Sequence, residues 1–153
     1  MGKEADTLHQ RPALSLTDAM TAVKAMLEAA AQQPGRPVAI AVVDHHGDPI
    51  ALACEAGANP ALARQNAFKK AYTAVCMRID TRALGERLAR EGRVPADFGN
   101  PNFTAGAGGL VIAHSQDGVI LGGIGVSGRP SGEEDEAIAQ AGRRALEHSK
   151  DKS

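Results

Sequence analysis

The sequence predicts an α+β fold, an antiparallel sheet flanked by helices, from three observations. Two short β-branched runs each lead through a turn into a second apolar run, the pattern of a hairpin. Stretches with apolar residues at steps of three and four stand before, between and after the two hairpins. The chain has 153 residues, 43% of them hydrophobic, which suits one buried core and leaves no room for a second domain.

The elements follow in order. Residues 1–13 carry Lys3, Glu4, Asp6, His9 and Arg11 with no apolar centre of a secretory signal, and are read as a disordered segment ahead of a single domain over 14–150. Ser15-Leu16-Thr17-Asp18 has the form of a capping box, so a helix starts there, with Met20, Val23, Leu27 and Ala30 on one face and Pro34-Gly35 as its end. Val38 to Val43, the turn Asp44-His45-His46-Gly47-Asp48 and Pro49 to Cys54 make the first hairpin. A longer helix spans Pro60 to Arg78, with Phe68, Tyr72, Val75 and Ile79 along its buried stripe. Asp80 or Thr81 caps a short helix carrying Leu84 and Leu88, which fails at Gly92. Residues 93–109 are rich in Gly, Pro and Asn and hold Phe98 and Phe103; a loop of that length in a compact domain points to a functional wall. Gly109 to His114 and Val119 to Val126 form the second hairpin. Ser131-Gly132-Glu133-Glu134 then opens a terminal helix with Ile138, Ala141, Ala145 and Leu146 inward.

Composition removes several functions. Net charge is −1 and aromatic content 3%, which gives neither a cationic field for phosphates nor stacking platforms for bases, so nucleic acid is excluded as a partner. No apolar run approaches the ~20 residues that span a bilayer, so no membrane partner is expected and the cytoplasm is the expected location. Cys54 and Cys76 have no zinc or redox spacing and are read as reduced, part-buried thiols.

The chemistry-bearing residues leave alternatives open. Gly123-Ile124-Gly125-Val126-Ser127-Gly128 matches a dinucleotide turn in glycines alone. No βαβ unit follows, and three carboxylates open the next helix, so close backbone packing, across a subunit interface or within the chain, is the better reading. His45, His46 and His114 are the candidate metal ligands, with Asp44, Asp48, Glu55 and Asp117 as oxygen donors. No pair has the spacing that sets two imidazoles on one helical face, and His45 and His46, adjacent in a turn, are expected to diverge. Exposed turn histidines are the plain reading, haem-iron ligation the sharper one. Ser127 lacks a nucleophile elbow, which argues against a hydrolase. Lys69, Lys70 and Tyr72 lie within about one helical turn; Lys70 and Tyr72 are the candidate catalytic pair for proton transfer, against the plain reading of a solvated lysine face and a core tyrosine.

Val42-Val43-Asp44 with Gly47, Lys70-Ala71-Tyr72-Thr73-Ala74, Thr81, Gly108-Gly109, the strand Gly118 to Gly128 and Glu134-Asp135-Glu136 together resemble the GlcG/HbpS-like family, also known as DUF336-type, over about Leu14 to Leu146. The resemblance implies a profilin-like fold with a five-stranded antiparallel sheet and homo-oligomers from dimer to octamer. It also implies a haem- or tetrapyrrole-binding, in some members haem-degrading, protein with haem as cofactor. His114, His45 or His46 would then be axial ligands, with Arg64 and Lys69 on the propionates. The chain departs from the family at Cys54-Glu55-Ala56-Gly57-Ala58, where members carry Arg-Met-Asp-Gly-Ala, and at Leu110, where they carry Pro.

Three functions compete, the last of them a purely structural or accessory oligomer in which the glycine strand serves assembly alone. The first is haem or tetrapyrrole binding. The second is a small-molecule enzyme, an isomerase, decarboxylase or cyclase acting on an oxygenated organic acid. Its pocket would lie between the 93–109 loop, including Phe103, and the helix, with Gly108 and Gly109 offering N–H groups to an oxyanion. In both of these the partner is a small molecule.

Overall fold

A computed structural model describes residues 12–151, with side chains through Glu147. The expected disordered segment lies outside the described residues except for Pro12 and Ala13, which are exposed. Helix α1 (Leu16–Gln32) begins as the sequence requires: Asp18 N–H donates to Ser15 Oγ at 3.0 Å, and Ser15 N–H donates to the Asp18 carboxylate at 3.0 Å. Ser15→Ala removes one acceptor from the first turn and is expected to cost about 1 kcal/mol, read from the urea midpoint at unchanged slope. The inward face is Ala19, Ala22, Val23, Met26 and Ala30, while Met20 (52% exposed) and Leu27 (36%) point outward. Small side chains select that face because the terminal helix lies so close that a Cβ on Gly142 would stand 2.8 Å from Met26 Cγ.

The sheet consists of β1 (Ala39–Asp44), β2 (Pro49–Cys54), β3 (Gly109–Ala113) and β4 (Ile120–Ser127), all antiparallel in the order β2-β1-β4-β3. Ile40, Val42, Leu110, Ile112, Ile124 and Val126 face α1 and the terminal helix, forming the larger core cluster. Ala39, Ala41 and Val43 face the other side. β1 is therefore covered on both faces, which is why it reads as an unbroken apolar run.

That second side is covered by α2 (Gln65–Met77), entered through a single π-helical turn at Pro60–Arg64 whose first N–H groups, Ala61 and Leu62, donate to Asn59 Oδ1. Its buried stripe is Ala63, Ala67, Lys70, Ala71, Ala74 and Val75; Phe68, Tyr72 and Ile79, expected inward, are only half-buried. The reason is the glycine strand. A Cβ on Gly125 would overlap the Ala67 carbonyl oxygen and lie 2.7 Å from Ala71 N, and one on Gly123 would lie 2.8 Å from the Ala71 carbonyl oxygen. Backbone rests on backbone, so the contact is made mostly by alanines, with Val75 against Gly123. The close packing expected of these glycines is thus found within the chain.

After α2 the chain turns at Arg78 (φ 56°) into α3 (Thr81–Glu91), which buries Leu84 and Leu88 and ends at Gly92. A 3₁₀ turn at Pro95–Phe98 opens the long loop. Thr73 Oγ1 pins that loop to α2 by accepting Thr104 N–H and donating to the Asn102 carbonyl. The last helix, α4 (Gly132–Asp151), starts with Ser131 Oγ accepting Glu134 N–H. No helix of the described residues is long and apolar enough to cross a membrane.

The sheet has four strands among the described residues, not the five implied by the family resemblance. The outer edge of β3 is closed by side chains instead. Gly109 N–H donates to Thr81 Oγ1 (2.9 Å), Val111 N–H donates to Asp80 Oδ1 (2.9 Å), and the Val111 carbonyl accepts from Arg143, itself ion-paired with Asp80 at 3.1 Å. The groups a neighbouring strand would pair with are already occupied.

Candidate site beside the first hairpin

The β1–β2 turn is knitted by Asp44, whose Oδ1 accepts N–H groups from His46 (2.8 Å) and Asp48 (3.0 Å). Gly47 has φ +88°, and a Cβ there would lie 2.7 Å from the Tyr72 ring, so this turn rests on the outer face of α2. The two imidazoles do not diverge as expected: their ring centroids are 3.9 Å apart, because the folded-back turn brings both side chains to its tip. Ligand atoms of Asp44, His46 and Asp48 lie within 4.8 Å of one another, a spacing from which a cation could be held.

A row of half-buried rings continues from this turn. Phe68 and Tyr72 have centroids 5.7 Å apart, Tyr72 and Phe103 6.0 Å, and Phe103 and Phe98 5.7 Å. Asn100 Nδ2 donates to the Tyr72 hydroxyl at 3.0 Å and holds the loop against the ring. Arg64 lies one helical turn before Phe68 on the same stripe and is exposed, with half-buried Lys69 beside it. The structure brings Tyr72 and Phe103 into one row of rings and sets Gly47, next to His45 and His46, against Tyr72.

It does not bring Lys70 into that group. Two residues along a helix is about 200° of rotation, so Lys70 and Tyr72 point to opposite sides of α2. Lys70 is 6% exposed; its Nζ donates to the Val126 carbonyl (2.9 Å) and to Asp135 Oδ2 (3.0 Å) beneath Gly108. Burial pushes the Asp135 carboxyl above its ordinary range, against the pull of Lys70 and of the Arg129 N–H. Sequence reasoning missed Asp135, reading it only as one of three acids favoured by a helix start. Of the two N–H groups expected to face an oxyanion, that of Gly109 is committed to Thr81 Oγ1.

His114 lies on the other hairpin. Register places Asp44 opposite Gly122 and Ala113 opposite Ile120, so both turns are at the same end of the sheet. Strand spacing sets the hairpins about 10 Å apart. His114 Nδ1 is 3.1 Å from Asp117 Oδ1. The Asp117 carboxyl is held below its usual range, first by the Val119 N–H and then by His114. Cys54 and Cys76 are both free and exposed, not part-buried as expected: one ends an edge strand and the other lies on the outer face of α2.

The model of the family described as haem degrading protein HbpS-like matches residues 14–144. The chain belongs to the HbpS-like family. Among solved structures it is similar to a double mutant of HbpS from Streptomyces reticuli, at 37% identity and TM-score 0.79, with 90% of this chain and 89% of that one covered. It is also similar to PduOC in a complex with haem, at 31% identity and TM-score 0.77, covering 87% and 94%. The Klebsiella pneumoniae protein ORFY, at 20% identity and TM-score 0.80 over 91% and 94%, shares the fold. No curated protein matches the chain. Within the HbpS-like family, this chain keeps the α+β architecture on a four-stranded sheet.

Proposed function

We propose that this HbpS-like protein binds haem or a related tetrapyrrole on the face made by the first turn, α2 and the long loop. The observation that carries the reading is the pair of contacting imidazoles beside a row of aromatic rings, with Arg64 and Lys69 on the same helix. The donor set fits the group: imidazole for iron, ring faces for the macrocycle, and cations for its carboxylates. His45 or His46 would hold the metal, Phe68, Tyr72 and Phe103 the plane, and Arg64 and Lys69 the propionates. When bound there, haem would supply an iron centre for electron and oxygen chemistry. The complex of PduOC with haem supports the ligand class.

Haemin titration followed at the Soret band tests this. Wild-type protein is expected to give a saturable, red-shifted band, and replacing both His45 and His46 by Ala is expected to weaken binding at least about tenfold. His114→Ala is expected to leave it unchanged. A saturable band lost only in His114→Ala would transfer the site to the second hairpin, and no saturable band would remove the reading.

The same proposal treats residues 14–150 as one domain acting in the cytoplasm as a homo-oligomer, dimer to octamer. Exposed Leu16, Met20 and Leu52 support association, which light scattering measures directly.

A further inference from the structure

At the end of the sheet opposite both hairpin turns lies a cavity of about 440 Å³, walled by the entry to β1, the segment after β2, the π-helical turn and the end of β4. Its polar lining is donor-rich. Arg36 and Arg129 carry guanidinium groups, Ser127 a hydroxyl, and Asn59 an amide whose oxygen is already taken by Ala61 and Leu62 N–H groups, leaving its NH₂ to give. No acidic side chain lines the cavity. Among the described residues no carboxylate lies within 4.0 Å of either guanidinium. The remaining wall is apolar, with Leu62 63% exposed and Ala63 behind it.

The two arginines differ in role. Arg129 is fixed, its Nη atoms donating to the Ala30 and Gln33 carbonyls at the end of α1 and its Nε buried with no hydrogen-bond partner. Arg36 is exposed and makes no hydrogen bond or ion pair with a described residue. One cation is thus preset and the other is free to close on a ligand. Two guanidiniums with no ion-paired carboxylate, in a small concave site, favour an anion with paired acceptor oxygens, although Glu55 lies in the adjoining cavity beside Arg129 and Asp135 accepts the Arg129 N–H; the apolar wall favours an anion that carries carbon.

We propose that this cavity binds a small organic carboxylate, held between Arg36 and Arg129 with its carbon skeleton on Leu62. The site is separate from the haem-binding face and does not depend on it.

The test is calorimetric titration of the full-length protein with benzoate, succinate and inorganic phosphate, alongside haemin titration. At least one carboxylate is expected to saturate in the millimolar range or below, with affinity falling at least about tenfold in Arg36→Ala and recovering in part in Arg36→Lys. Haemin binding is expected to be the same in all three proteins, which also shows that the variants are folded. No saturation by either carboxylate, equal affinity in Arg36→Ala, or binding of phosphate alone would each overturn the assignment.

Discussion

Replacing Lys70 by Met is expected to remove about 3–5 kcal/mol of folding stability at neutral pH, because it leaves the Asp135 carboxylate buried with no cation. That is a large part of the about 5–15 kcal/mol that holds a typical domain together. The loss should depend on pH in a defined direction. The Asp135 carboxyl already lies above its ordinary range, and Lys70 is one of the groups pulling it down, so the variant raises it further. A raised folded value means the native state binds the proton more tightly than the unfolded one. Lowering the pH through that value therefore restores stability, and the recovery is complete below the ordinary carboxylate value of about 3.9. Urea unfolding from neutral to acidic pH checks this. The Lys70→Met deficit should shrink as pH falls, while Lys70→Met with Asp135→Leu should recover most of it at neutral pH. A deficit independent of pH would show that lost packing, not the stranded charge, is the cause. This pair ties α2 to the start of α4, 65 positions away in sequence.

Gly125→Ala is expected to cost about 3 kcal/mol, the upper end of ordinary overpacking, because the added Cβ meets the backbone of Ala67 and Ala71, which cannot rotate aside as a side chain does. Gly92→Ala is the control. Gly92, unlike Gly125, adopts a left-handed conformation, φ +65°, but a Cβ there meets nothing within 4 Å, so only backbone strain of about 1–2 kcal/mol is expected. The two variants also differ in a second readout. Pushing α2 off the sheet displaces Phe68 and Tyr72 with it, so Gly125→Ala should weaken haemin binding although it touches neither ring. Equal effects of the two variants on stability and on the Soret titration would show that α2 has room to move without consequence.

These cases separate what periodicity reveals from what it hides. Turn chemistry and caps locate elements well: Ser15 and Asp18 make the predicted box, and Gly92 ends α3 where its type demands. Counting large apolar residues misassigns faces when the contact is made by small ones. Met20 and Leu27 look like core positions and are exposed, because alanines fit under α4. Phe68 and Tyr72 look like core positions and are only half-buried, carrying the aromatic row, because the close approach of α2 to the glycines of β4 is made mostly by alanines. Lys70 looks like a solvent-facing base, since nothing local announces its partner across the fold. The contact between His45 and His46 depends on a turn whose shape Asp44 dictates, while the order of residues alone suggests divergence.

The sealing of β3 by Thr81, Asp80 and Arg143 makes the sheet one-sided. A strand offered by another molecule finds an open margin only alongside β2, since among the described residues no side chain bonds to that outer edge. There it meets Pro49 at the strand's start, which has no N–H to share, and exposed Leu52 further along. Backbone pairing with another chain would thereby be confined to one flank. A sheet with two open flanks can propagate without limit; this one, among the described residues, offers its backbone along one flank only.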